Sequence, residues 1–301
     1  GFPGGHPFGS DRHDAFIAGL EQSPCVSVFD RRPSREAARE EMEYFHTPAY
    51  VDLVIKLSET GVGYLDGGDT PAYQGVYEAA AHTVGGTLSA LQSILEGPVV
   101  RAFNPIGGLH HAARDKAAGF CVFNDAAIAI DAALNRFGLG KVAYVDIDAH
   151  HGDGVFYGYE DDPRIVFADV HEDGRFLYPG TGSRSETGKG EAIGTKLNIP
   201  MPPGADDSAF FSVWDEVEAH VEAGEPQLMF LQCGADSLAG DPITHLSYSA
   251  NAHSHVALRL RALADRYCDG RILAMGGGGY HRPNLASAWT RVVESLAGHC
   301  Y

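Results

Sequence analysis

The sequence predicts an α/β fold around a mainly parallel sheet. Two patterns carry that reading. Short apolar, β-branched runs recur along the chain, and longer helix-like stretches lie between them. A third observation agrees: the His, Asp and Gly residues concentrate in the loops that follow the apolar runs, where open α/β sheets place their ligands. A helix is expected over Pro71–Leu95 and a first strand over Pro98–Ala102, whose PVVRA run is apolar and β-branched. Asn124–Phe137 then reads as a helix, followed by strands at Val142–Ile147, Arg164–Val170 and Lys196–Ile199. Helix Asp207–Ala223 leads to strand Gln227–Gln232, helix Ser249–Cys268 to strand Arg271–Met275, and a last helix runs from about Pro283 to Leu296. No linker, repeat or low-complexity tract divides the chain, so a single domain over residues 1–301 is expected.

With 301 residues, 44% hydrophobic and 21% charged, such a chain can bury a sizeable core without disulfides or a structural metal. Its five cysteines (Cys25, Cys121, Cys233, Cys268 and Cys300) are scattered with no CxxC pair. An odd, unpaired set points to a reducing, cytoplasmic compartment. No apolar run approaches the ~18–20 residues of a membrane span, and no basic-then-apolar leader opens the chain. The opening Gly1-Phe2-Pro3-Gly4-Gly5 is loop-like and lacks Met, so a first strand is expected to precede it. The formal net charge of −18 disfavours direct nucleic-acid binding. It suits cationic substrates such as lysine side chains or polyamines, and equally serves plain solubility.

The most informative segment is Tyr144-Val145-Asp146-Ile147-Asp148-Ala149-His150-His151-Gly152-Asp153-Gly154. Asp146 and Asp148 are two apart in a strand and point the same way. Two carboxylates at the end of an apolar strand are costly to bury unless cations neutralise them. His150 follows by two, and Asp236 comes straight after the strand ending at Gln232. Asp148, His150 and Asp236 therefore make a three-ligand set with room for a water, as in catalytic zinc sites. Alone, the two aspartates would as readily cap turns or pair with surface lysines; the neighbouring loops decide against that.

His110-His111 places two imidazoles at the same edge, suited to move a proton between a metal-activated water and a leaving amine. Each ring needs a partner on its other nitrogen, and Asp146 and Asp153 are the available carboxylates. Gly276-Gly277-Gly278-Gly279-Tyr280 lets backbone approach a ligand closely and brings the Tyr280 hydroxyl to where an oxyanion would develop.

Together these motifs resemble the histone deacetylase family, in particular its bacterial acetoin-utilization and deacetylase-like members, from His6-Pro7 to about Trp289. The resemblance implies the arginase/deacetylase fold, and removal of acetyl or other short acyl groups from lysine side chains of proteins or peptides. Zinc would sit on Asp148, His150 and Asp236; His111 would be the general base and acid, oriented by Asp153; His110 would be its electrostatic partner, oriented by Asp146; Tyr280 would be the oxyanion donor. Gly119, Phe120 and Tyr178 match the walls of an acyl-lysine tunnel, although either aromatic alone is more often plain core packing. Asp69 matches a rim residue that holds substrate backbone, or else caps the following helix. Arg12 matches an internal product-exit residue, or else forms an ion pair. The family also binds a monovalent cation, usually potassium, and Asp146, Asp148 and the backbones of His150 and Val170 match that site. Here the chain departs from the pattern, because Asp169 stands where many relatives have serine. Its carboxylate either strengthens cation binding or faces elsewhere.

Three competing readings are weaker. A two-manganese ureohydrolase resembling arginase needs aspartates where this chain has Gly152 and Leu238. A non-catalytic acyl-lysine binder does not need the full set of ligands, both histidines and Tyr280. An acetylpolyamine amidohydrolase would narrow the entrance with an inserted loop, and no large insertion lies between Leu53 and Pro71.

Overall fold

The computed structural model describes residues 1–298, so Cys300 lies outside the described residues. Six strands form one sheet: β1 (Arg101–Asn104), β2 (Val142–Asp146), β3 (Ile165–Glu172), β4 (Lys196–Met201), β5 (Met229–Gln232) and β6 (Ile272–Met275). Their order is β1-β6-β5-β2-β3-β4 and every neighbouring pair is parallel. The α/β expectation therefore holds.

Side chains alternate across the sheet, as the pleat requires. Val142, Tyr144, Phe167, Phe230 and Leu273 enter one core with helices α3 (Pro48–Thr60), α4 (Val76–Leu95) and α5 (Asp125–Asn135). Ala143, Val145, Ala168, Met229 and Leu231 enter the other with α1 (Asp11–Glu21), α7 (Asp207–Gly224), α8 (Ala250–Tyr267) and α9 (Arg282–Ala297). Burial on both faces explains why β2 and β5 read as unbroken apolar runs. Because all six strands run the same way, the loops after β1, β2, β5 and β6 emerge at one edge.

The expected first strand, Pro98–Ala102, is displaced to Arg101–Asn104. Pairing with β6 begins where the Ile272 amide donates to the Val100 carbonyl at 2.9 Å, so the apolar Val99-Val100 run mostly precedes the sheet. The helix expected from Pro71 starts only at Val76, because Gly75 at φ 91 turns the chain into it. Four helices were not anticipated: α1, α2 (Arg39–Met42), α3 and α6 (Asp153–Gly158). For α3 the sequence signal was present: the Thr47 hydroxyl accepts from the Tyr50 amide, Pro48 opens the helix, and Gly61 closes it at φ 64. Cys121, Cys233 and Cys268 are free and buried, whereas Cys25 is disulfide-bonded, so the expectation of a wholly unpaired set fails at that position. No helix among the described residues is long and apolar enough to cross a membrane.

Trp289 of α9 closes the core beneath the site. It is fully buried, its indole N–H donates to the Cys233 carbonyl at 3.0 Å, and its ring meets Phe16 and Phe103 edge-on at 5.9 Å each. Trp289→Ala should lower stability by about 3–5 kcal/mol, read as a fall in the urea midpoint. An unchanged midpoint would show that the cavity collapses without loss.

Candidate active site

The turn after β2 carries Asp148 and His150, and the short turn Ala235–Ser237 after β5 carries Asp236. His150 Nδ1 lies 3.1 Å from Asp148 Oδ1 and 3.1 Å from Asp236 Oδ2. The donor atoms of the three buried residues all fall within 4.8 Å of one another. Each is braced by groups around it. Asp148 Oδ2 accepts from Gln232 Nε2 and from the Gly278 amide, both at 2.8 Å, and Asp236 Oδ1 accepts from the Ala149 amide at 2.9 Å. Burial, with the Asp148 charge adding to it, pushes the Asp236 carboxyl up to about 7. Burial opposes charge on His150, but the two carboxylates outweigh it and push the ring up to about 10. Two buried carboxylates and one imidazole nitrogen facing one point call for a cation. They fit the three-ligand donor set of a catalytic zinc.

The histidine pair sits on the loop after β1. Asp125, at the start of α5, accepts from the Leu109 amide at 2.8 Å and the Gly108 amide at 3.0 Å. The Asn124 side-chain amide donates to the carbonyls of His110 at 3.1 Å and Ala112 at 3.0 Å. With that loop fixed, His110 Nδ1 meets Asp146 Oδ2 at 2.8 Å and His111 Nδ1 meets Asp153 Oδ1 at 2.7 Å. Ionised carboxylates only accept, so both Nδ1 atoms carry protons and both Nε2 atoms turn inward, 3.2 Å apart. Burial opposes charge on His110, yet Asp146 and Asp148 outweigh it and push the ring up to about 10. His111 is pushed down to about 4, by burial first and by the His110 charge second, against Asp153. One ring is therefore charged and the other neutral.

Tyr280 lines the same pocket as the histidine pair and the three-donor set. A separate cavity of about 730 Å³ runs along β1 between α1 and α9 and contains none of these residues. The Tyr178 ring stands 5.1 Å from His111 and is 46% exposed, and the Phe120 ring stands 6.0 Å from Tyr280. Tyr178 is thus largely outside the core and beside His111, whereas Phe120 is half-buried and packs against the first core as well as facing Tyr280. Gly119 separates two rings: at φ 52, a Cβ there would meet His111 Cδ2 at 2.4 Å and Tyr178 Cε1 at 3.1 Å. Asp69 is exposed and does not cap α4, whose N-cap is Gly75. Arg12 is buried; instead of forming an ion pair it donates to the carbonyls of Gly277 and Gly279, which fixes the glycine loop before Tyr280. Asp169 is also spoken for. One oxygen accepts from His171 Nδ1 at 2.7 Å and the other from the Gly152 amide at 2.8 Å, beside the buried Val170. His171 Nε2 in turn donates to the Gly182 carbonyl at 3.0 Å, so both its nitrogens face acceptors.

Residues 6–296 match the sequence profile of the histone deacetylase domain. The chain belongs to the histone deacetylase family. It is 37% identical over 306 residues to the acetoin utilization protein AcuC of Bacillus subtilis (strain 168), covering 97% of this chain and 78% of that protein. It is 35% identical over 270 residues to histone deacetylase 8 of Xenopus laevis, covering 87% and 81%. Against the AcuC of Staphylococcus xylosus the identity is 31% over 273 residues, covering 88% and 71%.

In this deacetylase-family chain several site residues had escaped the sequence reading. Asn124, Asp125, Gln232 and Asp241 hold the loops that present the pocket-lining groups, each through partners distant in the chain. His171 carried a local signal: Asp169-Val170-His171 in a strand puts Asp and His on one face, as Asp148-Ala149-His150 does.

Proposed function

We propose that this deacetylase removes acetyl or other short acyl groups from lysine side chains of proteins or peptides, with zinc held by Asp148, His150 and Asp236. One observation carries the reading: the buried three-donor set, the two carboxylate-oriented histidines and Tyr280 share a single pocket. Bound there, zinc would supply Lewis-acid polarisation of the acyl carbonyl and a lowered pKa for water. The chain's own residues do the rest. His111, neutral and held by Asp153, accepts the proton of the attacking water on Nε2. The charged His110 favours the negative charge that gathers on the acyl oxygen, and the Tyr280 hydroxyl donates a hydrogen bond to it. As the carbon–nitrogen bond breaks, His111 passes its proton to the leaving amine. Tyr178, Phe120 and Gly119 flank the acyl-lysine stem, and the exposed Asp69 receives substrate backbone at the rim.

The proposal extends to a monovalent cation, potassium, beside Asp146, Asp148, His150 and Val170. Asp169 would act there indirectly, since its oxygens bond Gly152 and His171. The catalytic domain is taken to extend over the whole of the given chain, and its formal net charge of −18 disfavours direct nucleic-acid binding. Zinc-loaded protein should release acetate from an acetyl-lysine peptide, lose activity with a chelator, and be inhibited by a hydroxamate, whose two oxygens can chelate the ion. Faster turnover of an acetylated polyamine would move the substrate reading to that class. No turnover of any acyl amine, with zinc bound, would leave a binding role instead.

A further inference from the structure

We infer that Asp241 is the positioning residue of Tyr280, tying the loop that carries Asp236 to the loop that carries the hydroxyl. This rests on the amide-hydrolysis reading above and deepens it. Tyr280 ends a run of four glycines in which φ is +84 at Gly277 and +124 at Gly279. Such backbone has weak conformational preferences of its own, so Tyr280 must be placed by contacts from outside the run. Earlier in the run, the Gly278 amide donates to Asp148 and Arg12 donates to the Gly279 carbonyl, each at 2.8 Å. At Tyr280 itself the carbonyl accepts from Arg282 at 3.1 Å, and the amide donates to Asp241 Oδ2 at 2.8 Å.

Asp241 is well placed to act as the fixed end of that contact. It is buried, and its other oxygen accepts from the Ile243 amide at 3.1 Å. The loop behind it is pinned twice. The Thr244 hydroxyl donates to the Asp236 carbonyl, and His245 bonds the buried Glu172 through its amide at 2.9 Å and its ring at 2.7 Å. The backbone of one proposed zinc ligand and the backbone of the proposed oxyanion donor are thus joined through three residues of one loop. Asp241 does not line the pocket, and its direct contact with a pocket-lining residue is the Tyr280 amide, so it is a positioning residue for Tyr280.

The test is a double-mutant cycle on zinc-loaded protein, reading kcat, KM and zinc content with acetyl-lysine peptide. A misplacement of a reacting group by an ångström costs about 10²-fold, so Asp241→Ala should lower kcat by about that factor with KM little changed. Asp241→Asn keeps one acceptor oxygen for the Tyr280 amide but turns an NH2 toward the Ile243 amide, so it should recover part of the loss. In a Tyr280→Phe background, Asp241→Ala should add almost nothing, because the group it positions is already gone. If Asp241→Ala does not fold, Asp241→Glu carries the same cycle, since it shifts the carboxylate by one methylene and keeps its charge. Equal losses in both backgrounds, or a near wild-type rate for Asp241→Ala (or for Asp241→Glu where it stands in), would overturn the role. Wild-type acetate release is the control: its absence overturns the hydrolysis reading, whereas additive losses with an active wild type overturn only the part given to Asp241.

Discussion

His111→Ala is expected to lower kcat by about 10²–10⁴-fold and to be more damaging than His110→Ala, with zinc content unchanged in both. The asymmetry follows from the two rings' surroundings. His111 is pushed down to about 4 and is neutral across the working range, so its Nε2 can take a proton. His110 is pushed up to about 10 by Asp146 and Asp148 and stays charged, so it shapes the field but cannot accept. The signs give a pH profile. Activity is lost on the acid side as pH falls through the His111 value and that ring takes up its proton. On the alkaline side it is lost once pH rises far enough for His110 to lose its charge. Removing the charged ring removes a cause that lowers His111, so His110→Ala should shift the acid limb toward higher pH and abolish the alkaline limb. A paired measurement of rate against pH and of bound zinc decides the matter. If His110→Ala is the slower variant with zinc still bound, the two roles are reversed.

The sheet was legible because its central strands are buried on both faces and therefore spell apolar, β-branched runs. The edge was less so: β1 is only partly buried, and Val99-Val100 drew the expected strand three residues early. Helix α1 escaped because its buried face is Arg12, Phe16 and Leu20, and an arginine breaks the apolar stripe. That arginine is buried only because the glycine loop, 265 residues away, supplies carbonyls for it. The site divides in the same way. Asp148, His150, Asp236, the histidine pair and Tyr280 were visible because their residue types are unusual at the ends of apolar strands. Asp125, Gln232 and Asp241 were not, because a single buried Asp or Gln acquires meaning only from the backbone amide or carboxylate that folding brings to it. The alternative left open at Arg12 was also a question about long-range partners, which spacing does not encode, whereas Asp169 was settled in part by His171 two residues on.

Tyr280→Phe is expected to keep the fold and the zinc while lowering kcat by about 10²–10³-fold, the usual loss for one oxyanion donor. The change removes a single oxygen and leaves the ring that Phe120 meets and the backbone amide that Asp241 holds. Neither the metal set nor the histidine pair bonds through that hydroxyl, so their geometry should persist. Burial, and then the charge of Asp236, push the Tyr280 phenol well above its ordinary value. The hydroxyl therefore keeps its proton throughout the working range and can only donate to the acyl oxygen or accept; it cannot serve as an anionic nucleophile. Because the interaction strengthens as the carbonyl oxygen gains charge, its loss should fall on kcat and spare KM. Hydroxamate affinity should fall by a smaller factor than kcat, since chelation does not depend on the phenol. A Tyr280→Phe enzyme that turned over acetyl-lysine peptide at nearly the wild-type rate would assign oxyanion stabilisation to the charged His110 instead.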